Sequence, residues 1–137
     1  MKIRDVMTPA PVTVASTDMV LSAAKAMKEQ GVGVLPVITD GLLTGILTDR
    51  DITVRVIAEG RDPASVRVGD VCTADVVVVG LDDDVDEVIR LVRERAVRRV
   101  PVVDDGVPMG IVSIGDLALA KDEGSALADV SSAPPNI

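Results

Sequence analysis

The chain repeats itself once, at a constant interval of 65 residues. Gly45-Ile46-Leu47-Thr48-Asp49-Arg50-Asp51 returns as Gly110-Ile111-Val112-Ser113-Ile114-Gly115-Asp116, and the register holds without a gap back to Asp5/Asp70. Identical pairs include Val6/Val71, Thr8/Thr73, Glu29/Glu94, Pro36/Pro101, Val37/Val102, Asp40/Asp105 and Gly41/Gly106. An internal duplication constrains architecture before any local reading does. It predicts two copies of one small unit, sharing one core and related by a pseudo-two-fold axis. It also predicts two equivalent sites, one at each recurring phrase.

Each copy reads as β-α-β-β-α. After a lead-in over residues 1–11, read as extended and punctuated by Pro9 and Pro11, Val12 to Val14 has strand character. Ser16-Thr17-Asp18 offers helix caps. Val20, Ala23, Ala24 and Met27 then recur at helical spacing between Met19 and Gln30, and Gly31 is a natural stop. The apolar runs Val34–Ile38 and Leu42–Leu47 flank Asp40-Gly41, a hairpin signal. Asp49 is a candidate cap for a helix from Arg50 to about Ala58. The second copy follows suit, with a strand at Val76–Val79 and a helix after Asp82-Asp83-Asp84 running to Arg95. A hairpin of Val100–Val103 and Val107–Val112 follows, and a last helix starts near Gly115. The copies divide as 1–62 and 63–121, with 122–137 a flexible tail. A three-stranded sheet with helices on one face leaves its other face bare. Packing the two sheets together recovers about 25 cal/mol per Å² of apolar surface. The fold class is therefore α/β, two β-α-β-β-α repeats packed through their sheets.

Composition removes many chemistries. The 137 residues contain no His, one Cys, and no Phe, Tyr or Trp. A Ser-His-Asp or Cys-His centre is impossible, and zinc has too few of its usual ligands, so no metal site is expected. Cys72 reads as a small buried hydrophobe and forms no intrachain disulfide. A net charge of −8 disfavours general nucleic-acid binding. Mean hydropathy of +0.38 supports a buried core, but no apolar run approaches the roughly 20 residues that cross a bilayer. Met1-Lys2-Ile3-Arg4-Asp5 lacks a signal-peptide core, so the chain is read as soluble and cytoplasmic.

The recurring phrase carries the functional reading. Thr48 and Ser113 stand where a strand gives way to a helix, and free N–H groups at a helix start favour an anion. Arg50 adds a cation. Asp51 and Asp116, one turn on, carry carboxylates suited to gripping ribose hydroxyls. The plainer alternative is that these residues cap helices; the duplication favours a ligand. Other motifs carry less. Gly31-Val32-Gly33 has Pro36 where a dinucleotide fingerprint needs glycine. The acids Asp82-Asp83-Asp84, Asp86 and Glu87 read as helix capping rather than a calcium loop. Arg90, Arg93 and Arg95 read as a solvated face, with docking of an acidic partner as the alternative.

In these residues the sequence resembles the cystathionine β-synthase (CBS) domain family in its tandem arrangement, the Bateman module, and specifically the small stand-alone bacterial members. The resemblance spans residues 3 to 121. It rests on Asp5-Val6-Met7-Thr8 and Asp70-Val71-Cys72-Thr73, on Leu35-Pro36-Val37 and Val100-Pro101-Val102, and on the two phrases. It implies a non-catalytic regulatory module for signal transduction that senses an adenosine-containing ligand between the copies. AMP, ADP or ATP is expected, with S-adenosylmethionine and NAD ranked below them, and no cofactor is required. It also implies a homodimer and a protein target not yet identified, without membrane insertion. One site would combine Thr48, Arg50 and Asp51 with Thr73, Val77, Val97, Arg98 and Arg99. The other would combine Ser113 and Asp116 with Thr8, Val12, Val32 and Gly33. Arg98 and Arg99 occupy a place where the gamma subunits of AMP-activated kinase carry phosphate contacts, so the first site is expected to take the phosphates. A helix-end position is the plainer account of those two arginines. The competing functional class is a nucleotide-independent protein-docking module with vestigial sites.

Overall fold

The computed structural model describes residues 1–9, 12–121 and 133. The expected tail lies mostly outside these residues. The chain forms two compact units, one of Pro11–Val76 and the other of Met1–Ala10 joined to Val77–Ile137. These units are cut differently from the sequence repeats 1–62 and 63–121. Each unit takes its lead-in segment from the stretch that precedes the other copy's first strand.

In the Pro11–Val76 unit, strand β2 (Val14–Ala15) pairs in parallel with β3 (Val34–Thr39), which pairs antiparallel with β4 (Leu42–Thr48). Helix α1 (Val20–Gln30) lies between β2 and β3 in sequence. After β4 come α2 (Asp49–Ile52), a π-helical turn (Thr53–Ile57) and α3 (Val68–Val71). In the other unit, a 3-10 turn at Ile3–Asp5 leads into β1 (Thr8–Pro9). A four-stranded sheet then runs β1-β7-β6-β5, with β5 at Val79–Gly80, β6 at Arg99–Asp104 and β7 at Val107–Ser113. Helices α4 (Val85–Arg95) and α5 (Ile114–Lys121) complete it. The spacing of 65 survives in three dimensions: α1 and α4, β3 and β6, and β4 and β7 correspond residue for residue.

The hairpins form as the Asp-Gly pairs require. Asp40 and Gly41 have φ of 53° and 82°, and Asp105 and Gly106 have 49° and 79°. Positive φ at both central residues matches the twist of the strands. Apolar periodicity accounts for the cores. Val20, Ala23 and Met27 are buried on α1, and Val85 and Val88 on α4. Each unit has its own cluster of buried apolar residues. Leu35, Val37, Leu47, Val56 and Val68 anchor one, while Ile3, Val100, Val102 and Val112 anchor the other. Burying each valine completely contributes about 1.5–3 kcal/mol of transfer free energy.

Several local expectations are corrected. The first strands are only two residues long, at Val14–Ala15 and Val79–Gly80, because only those residues pair with the neighbouring strand. Residues 3–5 form a helical turn where an extended lead-in was expected. Ser16, Thr17 and Asp18 do not cap α1. Its N-cap is Met19, which gives no side-chain bond. The free N–H groups of Val20 and Leu21 donate instead to Val66 O (2.8 Å) and Pro63 O (2.9 Å). In the other unit, Val85 N donates to Met1 O (3.0 Å), and the Asp84 carboxylate accepts from Asp86 N (3.2 Å). The same orphan donors are thus satisfied by linker carbonyls in one unit, and by the chain's first residue and a side-chain cap in the other. Asp83 accepts from Gly80 N (2.8 Å), so the acidic run is engaged in capping and turns.

Candidate functional site

β4 and β7 each deliver a hydroxyl residue to the start of a helix, and both build the same structure there. Thr48 Oγ1 accepts from Asp51 N (3.1 Å), and Asp51 Oδ2 accepts from Thr48 N (3.0 Å). Ser113 Oγ accepts from Asp116 N (3.1 Å), and Asp116 Oδ2 accepts from Ser113 N (2.9 Å). These are reciprocal capping boxes with aspartate in place of the usual glutamate. The cap of α2 is therefore Thr48, not Asp49, because the hydroxyl reaches the third helical N–H while the third residue reaches back. The plainer capping account is thus part of the answer. It consumes one carboxylate oxygen and leaves the other. Asp51 is only 8% exposed, the one buried charged residue among those described.

The glycine that opens each phrase has a role that sequence reading missed. Gly45 lies against the lead-in segment, where Ile46 N donates to Thr73 O (2.9 Å) and Thr73 N donates to Ile46 O (2.8 Å). A Cβ on Gly45 would stand 2.7 Å from Thr73 O and 3.1 Å from Cys72 Sγ. A Cβ on Gly110 would stand 2.6 Å from Thr8 O, where Thr8 pairs with Ile111. Glycine in a strand interior signals a close backbone approach, and its recurrence at both positions was the available clue. Cys72 is half-buried and packs against the first core. Burial pushes its thiol pKa upward.

Other predicted residues fall into place by unit. Val12, Val32, Gly33, Thr48, Arg50, Asp51 and Thr73 belong to Pro11–Val76, while Thr8, Val77, Val97, Arg98, Arg99, Ser113 and Asp116 belong to the other unit. Each expected grouping draws on both units; within them, Thr73 pairs with Ile46 on the strand of Thr48, and Thr8 pairs with Ile111 on the strand of Ser113. Gly33 O accepts from Asp49 N (2.9 Å), beside Thr48. Arg99 pairs with Ser113 across the β6–β7 ladder, and Arg98 O accepts from Ile114 N (3.0 Å). Both arginines are exposed. They lie beyond the end of α4 at Arg95, so a helix-end role does not explain them. Val77 and Val97 pack against the second core, whereas Val12 and Val32 are exposed at 38% and 41%.

The charges near the two phrases differ. Asp49, Arg50, Asp51 and Arg55 alternate in sign around Thr48, and Arg50 and Arg55 are exposed. Ile114, Gly115 and Asp116 follow Ser113, with Arg98 and Arg99 on the adjoining strand. The excess of cationic side chains thus lies with Ser113. Among the described residues, no helix is long and apolar enough to cross a membrane.

The model of the CBS domain family matches residues 3–57 and again 68–123. The CBS domain-containing protein YhcV of Bacillus subtilis is 36% identical over 133 residues, covering 94% of each chain. Among solved structures, the CBS domain pair of protein MJ0100, in complex with 5′-methylthioadenosine and S-adenosyl-L-methionine, matches with a TM-score of 0.76 and 27% identity. That match covers 88% of this chain and 94% of the other. A hexameric CBS-CP12 protein from bloom-forming cyanobacteria matches with a TM-score of 0.76 and 32% identity, over 90% of this chain and 72% of the other. Two matched domains, each ending in the same capping box, place this chain in the CBS domain family.

Proposed function

We propose that this protein is a non-catalytic regulatory module that binds an adenosine-containing ligand at its Thr/Ser-x-x-Asp phrases. The observation that carries the reading is the twice-built capping box. Each box fixes a carboxylate beside a helix start and commits one oxygen to it, leaving the second to accept from ribose hydroxyls. The complex of MJ0100 with two adenosine-containing ligands supports the ligand class. The absence of His and aromatic residues leaves the base to rest on aliphatic side chains such as Val12, Val32, Val77 and Val97.

The phosphates of AMP, ADP or ATP would lie beside Ser113, a reading supported by Arg99, its partner across the β6–β7 ladder, with Arg98 adjoining. Each charge-assisted hydrogen bond contributes about 1.5–3 kcal/mol, so the Ser113 phrase should prefer nucleotides. The Thr48 phrase should prefer uncharged or cationic adenosine compounds. Titration calorimetry with AMP and with adenosine tests this. Arg98→Ala with Arg99→Ala should weaken AMP at least about tenfold while leaving adenosine nearly unchanged. Equal loss of both ligands would sink the phosphate assignment. Binding of neither ligand to wild-type protein would favour the nucleotide-independent docking module. The protein is further proposed to act in the cytoplasm on a protein target as a homodimer. Light scattering decides the assembly, and the hexameric relative shows that other assemblies occur in similar folds.

A further inference from the structure

The two units share one plan but differ in a contact present in one and lacking its counterpart in the other. Arg55 makes such a contact. It sits in the π-helical turn after α2, and its counterpart at an interval of 65 residues is Ala120. The π turn is held by Ala58 N donating to Thr53 O and Arg61 N donating to Val56 O, both at 2.9 Å. Turns of this kind recur at functional sites.

The Arg55 side chain spans two parts of its unit. Its Nε lies 3.8 Å from Asp51 Oδ1, the carboxylate oxygen that the capping box leaves free. Its Nη1 donates to Val71 O (2.9 Å) and faces Cys72 O (3.4 Å), the carbonyls at the end of α3. The next residue, Thr73, is tied to Ile46 on β4. A planar guanidinium holds several partners at once in a fixed fork. Arg55 is 49% exposed, so the link is weak enough to change with conditions.

We propose that Arg55 is a positioning residue that couples the Asp51 carboxylate to the lead-in segment Val68–Thr73, so that a ligand captured by Asp51 is felt at that segment in this unit. Asp51 orients the guanidinium, and the guanidinium holds the two carbonyls. A ligand closing over Asp51 excludes water from the pair and strengthens it. The segment then tightens. Ala120 leaves the other unit without this link. The ligand-dependent part rests on the function proposed above; the coupling itself does not.

Cys72 is the chain's one cysteine and lies within the coupled segment, so its rate of thiol labelling by a disulfide reagent reports opening there. Burial raises its pKa, and Asp51 and Arg55 act on it in opposite directions. Rates are therefore compared at the alkaline limit of the pH–rate profile, where ionisation no longer matters. Arg55→Ala and Asp51→Asn should each raise that limit about two- to fivefold, as expected for a half-exposed ion pair. The double variant should exceed neither single variant. Unchanged rates, or effects that multiply, overturn the coupling. In the second arm, adenosine, AMP and S-adenosylmethionine are the ligands. One that binds by calorimetry should slow labelling in wild type and not in Arg55→Ala. Binding at Asp51 without slowing overturns the coupling. If none of them binds, the proposed function fails, and the variant rates alone still decide the coupling.

Discussion

Replacing Gly45 with alanine isolates the feature that joins each phrase to its lead-in segment. The new methyl would meet Thr73 O at 2.7 Å and Cys72 Sγ at 3.1 Å. The nearer neighbour is backbone, so rotating a side chain gives no relief. Overpacking of this kind costs about 1–3 kcal/mol. If the segment retreats, the paired bonds between Ile46 and Thr73 are lost as well, at about 0.5–1.5 kcal/mol each. The expected loss is therefore about 2–6 kcal/mol, a large share of the roughly 5–15 kcal/mol typical of a domain. At about 3–4 °C per kcal/mol for a chain of 137 residues, Tm should fall by at least about 6 °C. Gly80→Ala is the control. Its methyl would find nothing nearer than Asp83 Oδ1 at 3.6 Å, an ordinary contact. Far-UV circular dichroism is the readout, since there is no Trp, Tyr or Phe to follow. Gly110→Ala should behave like Gly45→Ala, because Thr8 O stands 2.6 Å away. A Gly45→Ala variant within about 1 kcal/mol of wild type, or a Gly80→Ala variant equally damaged, would refute the close-approach argument.

Two further outcomes follow from differences between the copies and from surface charge. Helix α1 ends on Gly31 in the left-handed region (φ 65°), whereas α4 ends on Ala96 with φ of 54°. Ala96→Gly should therefore stabilise the protein by about 0.5–1 kcal/mol in urea denaturation, and Gly31→Ala should destabilise it by a similar amount. Hydrogen bonds from Arg4 hold the Asp82 carboxyl below its ordinary pKa of 3.8. A depressed folded value stabilises above the unfolded pKa, and that contribution vanishes as pH falls through the folded value. The difference in Tm between wild type and Asp82→Asn should accordingly be present near pH 6, close below about pH 4, and shrink in 1 M salt.

Most of the fold was legible because it is encoded locally and encoded twice. Val20, Ala23 and Met27 announce α1, and Asp40-Gly41 and Asp105-Gly106 announce the hairpins. The partnership of the lead-in segments was legible only through the family resemblance, which grouped Thr73 with Thr48 and Thr8 with Ser113. Residues 3–8 and 68–73 are equivalent, so no local signal says which phrase each will join. Contact across the chain decides it, with Gly45 and Gly110 as the permitting residues. The neighbours of Arg98 and Arg99 within their own unit were not legible either. The two arginines are adjacent to Ser113 through strand pairing, which a linear pattern does not display. The α1 cap was missed for a related reason, since Val66 and Pro63 supply backbone carbonyls and any residue type carries one. The capping boxes were visible as a spacing, but their pairing of oxygens was not.

Calorimetric titration of wild type, Asp51→Asn and Asp116→Asn with AMP, ADP, ATP, 5′-methylthioadenosine and S-adenosylmethionine tests the central claim most directly. Asparagine preserves an oxygen for the capping bond while removing the carboxylate that would grip ribose. The account predicts micromolar binding of at least one of these compounds to wild type, lost in one or both variants while circular dichroism shows them folded. No heat with any compound, or binding untouched by either substitution, would contradict it.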